Sequence, residues 1–258
     1  MIIDVHSHLY DDNPATRNYQ FPGEPHGRIS AKRFVSHALA QPVDRMVLSA
    51  DPTWLKDPAG LARANDRVAS IVRRQPKRFS GLCQVNPLFG KASIAEMDKH
   101  IAKGNLSGVG EICPYIFKCD SGNKREFAIV EKAIELDATI LYHSSNARDS
   151  GAVDRLATMF PQARFVMAHI GGMYNWPNGI AVARKHDNVW VDTSGYVMLC
   201  YGAMVKAVKA LGPSKILFGV DFPLILAAPL VTVLKDLKLP RAAFARIAWK
   251  NAAELFAV

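Results

Sequence analysis

The sequence predicts a (β/α)8 barrel. Short apolar segments rich in β-branched residues recur eight times along the 258 residues. Polar, helix-compatible stretches lie between them, and this alternation is the rhythm of a barrel with a parallel sheet. The length suits one such barrel as a single domain over 1–258, and no linker divides the chain. A doubly wound open sheet is the alternative built from the same rhythm.

The strands are expected at IIDVH (2–6), DRMVLSA (44–50), FSGLCQV (79–85) and SGVGEI (107–112). They continue at TILYH (139–143), RFVMAH (164–169), NVWVDT (188–193) and KILFGVD (215–221). Each is nearly continuously apolar, as a strand covered on both faces should be. Helices are expected at 30–41, with Ser30 as N-cap, and at 61–74, stopped by Pro76. Segments 124–136, 151–160 and 229–237 read the same way. Residues 9–29 form a long loop rich in Pro, Asp, Asn and Gly after the first strand, expected to act as a rim or lid. A second long connection, 113–123, leaves the fourth strand.

Composition narrows the class. No apolar run reaches membrane-spanning length, and no basic region precedes an apolar leader. Four cysteines, Cys83, Cys113, Cys119 and Cys200, contain no C-x-x-C pair and read as free thiols of a cytoplasmic protein. The net charge of +9 is dispersed, without a long basic run or a basic-aromatic motif, so no nucleic-acid partner is expected. An anionic small-molecule substrate is compatible with that charge. The motifs of nucleophilic serines and nucleotide sites (G-x-S-x-G, P-loop, G-x-G-x-x-G) are missing.

The chemically able residues fall at strand ends. His6 and His8 end the first strand, Glu111 the fourth, His143 the fifth, His169 the sixth and Asp221 the eighth. In a parallel barrel these carboxyl ends meet on one rim. Side chains two apart on a strand share a face, so His6 and His8 can face one cavity. Imidazoles with carboxylates make a divalent transition-metal site, with zinc as the first expectation. Asp4 shares the parity of His6 but lies deeper, and Asp192 ends the seventh strand; both read as supporting residues. Tyr115, Lys118, Arg148 and Trp176 fall in loops after strands four, five and six, where they can read a substrate carboxylate or ring. His26, His37, His100 and His186 read as solvated or structural.

The ordered set IDVHSH, YH, MAHIGG, FGVDFP and WKNAAELF resembles the amidohydrolase superfamily, in the amidohydrolase-related branch that includes aminocarboxymuconate-semialdehyde decarboxylase-like proteins. The resemblance implies a barrel with one or two divalent metals. It implies that His6, His8 and Asp221 hold the first. In one-metal decarboxylases of this type the strand-five histidine, here His143, joins that metal and the strand-six histidine, here His169, is catalytic. In two-metal members a strand-four carboxylate, here Glu111, bridges, and both of those histidines hold the second ion. GVGEI also resembles the strand-four segment of TatD-type deoxyribonucleases, but the rest of that pattern is not evident. A homodimer is the assembly the resemblance suggests.

The leading expectation is hydrolysis of a small amide, lactone or ester. A metal ion would lower the pKa of bound water from about 15.7 toward about 7. Asp221 would shuttle the proton, and His169 or the metal would stabilise the oxyanion. Non-oxidative decarboxylation of a small aromatic or unsaturated acid is the second expectation. A metal-containing barrel that binds a ligand without turnover is the third.

Overall fold

The computed structural model describes residues 1–10, 29–200 and 202–258. Eight strands, all parallel, run in the order β1 to β8: Ile3–Leu9, Arg45–Ala50, Phe79–Cys83, Gly108–Ile112, Thr139–Tyr142, Phe165–Met167, Val189–Asp192 and Ile216–Leu217. Neighbours in sequence are neighbours in the sheet, as right-handed β-α-β winding requires. Regular pairing in β8 stops at Leu217, shorter than the expected segment. The chain beyond stays close to β1: Val5 N donates to Phe218 O, Asp221 N to His6 O and His8 N to Phe222 O. These bonds close the barrel.

The helices are α1 (Ala31–Leu39), α2 (Pro58–Arg74), α3 (Lys91–Met97), α4 (Pro114–Phe117), α5 (Lys124–Glu135) and α6 (Ala147–Met159). They continue with α7 (Trp176–Lys185), α8 (Ala203–Leu211), α9 (Ala227–Asp236), α10 (Arg241–Ala245) and α11 (Asn251–Phe256). Ser30 caps α1 through Arg33 N, as expected. Asp57, Asn123 and Asn146 cap α2, α5 and α6. The five expected helices are present within a few residues, while α3, α4, α7, α8 and the C-terminal helices are additions. Residues 11–28 of the expected lid, and His26 within them, lie outside the described residues.

Inside the barrel, Ile3, Val5, Val47, Leu82, Leu141, Val166 and Leu217 form one apolar layer. Leu255 and Phe256 of α11 join it from below, and Thr139 Oγ1 at the start of β5 donates to Leu255 O at 2.6 Å. The C-terminal helix therefore plugs the end of the barrel where strands begin. A larger apolar layer fills the space between strands and helices.

Two strands break their alternation. Asp4 pairs with Met46 but Ser7 with Leu48, so three steps on β1 match two on β2. Val109 pairs with Ile140 but Ile112 with Tyr142, the same irregularity on β4. Each is a β-bulge, an extra residue that turns the following side chains to the other face. Ile3 and Val5 point inward below the bulge; His6 and His8 point inward above it. Asp4 does not share a face with His6, which corrects the parity expectation. Its buried carboxylate instead accepts from His6 N (3.0 Å) and Val220 N (2.9 Å) where regular pairing is interrupted.

Candidate metal centre

Sequence parity alone delivers part of the site. On β2 and its extension, Val47, Ser49 and Asp51 alternate inward; on β7, Asp192 and Ser194 do so. Leu141 and His143 follow the same rule on β5, and Leu217, Gly219 and Asp221 after β8. Gly219 is the close-approach position: a Cβ there would sit 3.2 Å from His6 Cβ, from Asp192 Cγ and from Ser194 Cβ.

The other converging residues need irregular backbone. The bulges turn in His6 and His8 on β1 and Glu111 on β4. At Gly110 (φ 124°) a Cβ would lie 2.3 Å from Leu141 O, so the β4 bulge requires glycine. After β6, His169 (φ 58°) and Ile170 (φ 50°) both adopt left-handed backbone, and so does Asp221 (φ 73°). Non-glycine residues there cost about 1–3 kcal/mol each, and such strain concentrates at functional sites.

Six expected residues converge. His6 Nε2 and His8 Nε2 are 3.1 Å apart. Glu111 Oε1 lies 3.6 Å from His6 Nε2, and Glu111 Oε2 lies 3.4 Å from His8 Nε2. Asp221 Oδ1 is 3.4 Å from His8 Nε2 and 3.9 Å from His6 Nε2. His143 Nδ1 is 3.0 Å from Glu111 Oε1, and His169 Nε2 is 3.7 Å from it. All six side chains are largely buried.

Their partners fix which nitrogens face the cavity. His6 Nδ1 lies 2.8 Å from Asp192 Oδ2, which can only accept, so that nitrogen carries the proton. Ser194 Oγ donates to Asp192 Oδ1 and accepts from His169 Nδ1 at 2.8 Å. Ser49 Oγ lies 2.9 Å from His8 Nδ1 and reaches Ser7 O as a donor at 3.5 Å. Each of the three rings then turns a bare Nε2 lone pair inward. Asp192, read from the sequence as a supporting residue, orients two rings at once. Ser49 and Ser194 were not singled out; the signal was the alternation SAD (49–51) and DTS (192–194), the same i, i+2 rule that exposes His6 and His8.

This donor set fits a divalent cation. Two imidazole lone pairs 3.1 Å apart repel unless a cation lies between them. Nitrogen and carboxylate oxygens at 3.1–3.9 Å separations match donors about 2.0–2.2 Å from one ion. The electrostatics agree. Burial opposes charge on His6, yet Glu111 and Asp192 outweigh it and hold its pKa well above the usual value. Burial likewise opposes the Glu111 carboxylate, but His6 and His143 hold its pKa well below the usual range. The pocket calls for positive charge. His169 differs: burial first, then His6, lower its pKa and keep the ring neutral.

Above the cluster is a cavity of about 670 Å³, including its mouth, within the range of small-molecule sites. Tyr10, Pro52, Thr53, Cys113, Tyr115, Ile116 and Leu224 line it with Asp51 and five of the six converging residues. Of the expected substrate residues only Tyr115 lines it, with its ring 4.6 Å from that of His143. Lys118 follows α4 and lines a separate surface depression with Asp120 and Arg125. Arg148 points outward on α6 to an exposed pairing with Asp120. Trp176 heads α7 rather than lying in a loop, and its ring sits 5.2 Å below Lys206 Nζ. The structure does not bring these three to the cavity: Lys118 ends α4, Arg148 lies in the first turn of α6 and Trp176 begins α7. His100 and His186 are structural, bonded or close to Glu96 and Asp154.

These imidazoles and carboxylates meet at the carboxyl ends of the strands, where parallel barrels of this kind carry the active sites of enzymes. The sequence matches the amidohydrolase family over residues 3–258, and the chain belongs to that family. No curated protein matches it. Among solved structures it is similar to 5-carboxyvanillate decarboxylase from Sphingomonas paucimobilis, at 18% identity and TM-score 0.78, covering 100% of this chain and 99% of that one. It is also similar to 5-carboxyvanillate decarboxylase from Novosphingobium aromaticivorans in complex with manganese and 4-hydroxy-3-methoxy-5-nitrobenzoic acid (15%, 0.79, 100% and 96%). A third is 4-oxalomesaconate hydratase from Rhodopseudomonas palustris (18%, 0.73, 100% and 96%). No helix of the described residues is long and apolar enough to cross a membrane.

Proposed function

We propose that the chain is a metal-dependent, non-oxidative decarboxylase of small aromatic or unsaturated carboxylic acids. The observation that carries this reading is the pairing of a cation-seeking floor with two proton-moving groups, Asp221 and His169, in one ring-sized cavity. The similar decarboxylases, one holding manganese and a nitrobenzoic acid, support it over the hydrolysis that the sequence put first.

His6, His8, Asp221 and Glu111 are the proposed metal donors. When bound, the ion supplies positive charge that orients the substrate carboxylate and stabilises negative charge developing beside it. The rest is the work of this chain. Tyr115 and Leu224 on the walls, with Tyr10, flank a planar ring. Asp221 delivers a proton to the carbon that bears the carboxylate. The C–C bonding pair then returns to the ring as carbon dioxide leaves. His169, held by Ser194 and Asp192, keeps its Nε2 turned to the cavity to relay the replacement proton. Such positioned proton transfer contributes about 10²–10⁴-fold in rate.

Zinc and manganese both suit nitrogen and oxygen donors. The four free thiols suit a reducing, cytoplasmic setting. The test is turnover of a panel of hydroxybenzoic and methoxybenzoic acids in D2O by zinc- and manganese-loaded protein. Carbon dioxide release with one deuterium at the vacated ring carbon is the expected result. Turnover of esters, lactones or amides alone would overturn the reading in favour of hydrolysis.

A further inference from the structure

Glu111 is not alone at the end of β4. Two residues on, Cys113 points to the same cavity, and its Sγ lies 3.1 Å from Glu111 Oε2. His143 Nδ1 approaches the other oxygen, Oε1, at 3.0 Å. The ligand atoms of Glu111, Cys113 and His143 lie within 4.8 Å of one another, and all three residues are buried. A separate triplet, His6, His8 and Asp221, meets the same criterion. Glu111 touches both: its oxygens are also 3.6 Å and 3.4 Å from the Nε2 atoms of His6 and His8.

We propose a second divalent-metal site made by Glu111, Cys113 and His143, in which Cys113 ligates as a thiolate and Glu111 bridges to the first site. The inference rests on the metal-centre reading above and deepens it. Three features argue for it. The E-x-C pair ends the second bulged strand just as the H-x-H pair ends the first, so the two irregular backbones present matching i, i+2 ligand pairs. Cys113 is anchored in the apolar packing and also lines the cavity, so its thiol is held in place beside Glu111. And His169 has its Nδ1 occupied by Ser194 and stands farther from Glu111 than His143 does, 3.7 Å against 3.0 Å. It is left to proton transfer, and the thiol takes the place of the third donor.

Ligation replaces the S–H bond with an S–metal bond and releases one proton to solvent. A divalent ion makes a coordinating thiol give up its proton outright. The two sites differ in character. Imidazole and carboxylate in the first accept manganese or zinc; a thiolate in the second selects zinc or cobalt over manganese.

The experiment is cobalt titration of the metal-stripped full chain, followed by near-ultraviolet absorption. Two equivalents are expected, the second developing a thiolate-to-cobalt charge-transfer band. C113S should lose the band and weaken the second equivalent by more than about 100-fold, while the first stays. In parallel, bound cobalt should slow labelling of Cys113 by a thiol reagent, read by peptide mapping against Cys119. Binding of one equivalent without the band, or equal labelling with and without cobalt, would overturn the second site and leave the first standing. If no cobalt binds at all, the metal-centre reading falls with it.

Discussion

The two ends of this barrel are built on opposite rules. The lower end is regular, apolar and sealed: Ile3, Val5, Leu141 and Leu217 meet Leu255 and Phe256 with no charge among them. The upper end holds Glu111, Asp192, Asp221, His6, His8 and His143 in burial and His169 partly so, on two bulges and three left-handed non-glycine residues. One end lowers the free energy of the fold. The other raises it and holds chemistry in place. Strands a few residues long carry both assignments, so the division of labour is drawn across each strand, not between elements.

The comparison is sharpest where the two ends are disturbed separately. D221N should lower kcat by about 10²–10⁴-fold. In metal-free protein the same change should leave the thermal midpoint equal or higher, since it removes a buried charge. A marked loss of midpoint would mean the upper end also stabilises. F256A at the plug should cost about 3–5 kcal/mol in denaturant unfolding, with the folded fraction still turning over at the native rate. Loss of kcat in folded F256A would break the division.

Glu126 tests a charge belonging to neither end. Burial raises its pKa to about 7 against hydrogen bonds from Tyr142 and Gly122. Between its ordinary 4.5 and about 7 the folded chain keeps a proton that the unfolded chain has released. This contribution is therefore full below 4.5 and is lost as pH rises through about 7, by up to roughly 3 kcal/mol. Unfolding of E126Q followed across that window should show a flatter profile than the native chain; an identical slope would refute the assignment.

Smaller effects complete the series. S194A should lower metal affinity or kcat by about 10–100-fold through loss of the Asp192–His169 link, with a displaced pH profile that a packing defect would not give. T139V, at the plug, should cost only about 1 kcal/mol, measured by chemical denaturation.

Much of this contrast was legible in the sequence. Eight apolar segments marked the strands, and residues at their carboxyl ends, His6, His8, Glu111, His143, His169 and Asp221, were readable as one cluster. The bulges were not. Alternation read from Ile3 and Val5 predicts Ser7 facing inward, and nothing in IDVHSH marks the extra residue. Lys118, Arg148 and Trp176 read as cavity candidates because a loop read from sequence has no direction; in the structure the end of α4, the first turn of α6 and the start of α7 set theirs. Helix α7 was hidden by Pro177 and Gly179, weak helix formers that the first turn tolerates. Cys113 reads from the sequence as one of four free thiols because it lacks a C-x-x-C partner; its i, i+2 relation to Glu111 gains meaning only once both line one cavity.

The extra residue in β1 and in β4 works as a phase shift. A strand is a two-beat pattern, and one added beat exchanges what is heard inside for what is heard outside. The lower half can then keep a hydrophobic rhythm tuned for packing while the upper half carries a polar one. Acquiring such a centre on an existing barrel requires an insertion more than a rewriting. Deleting one residue at either bulge would leave the composition almost untouched and turn the chemistry to face the helices.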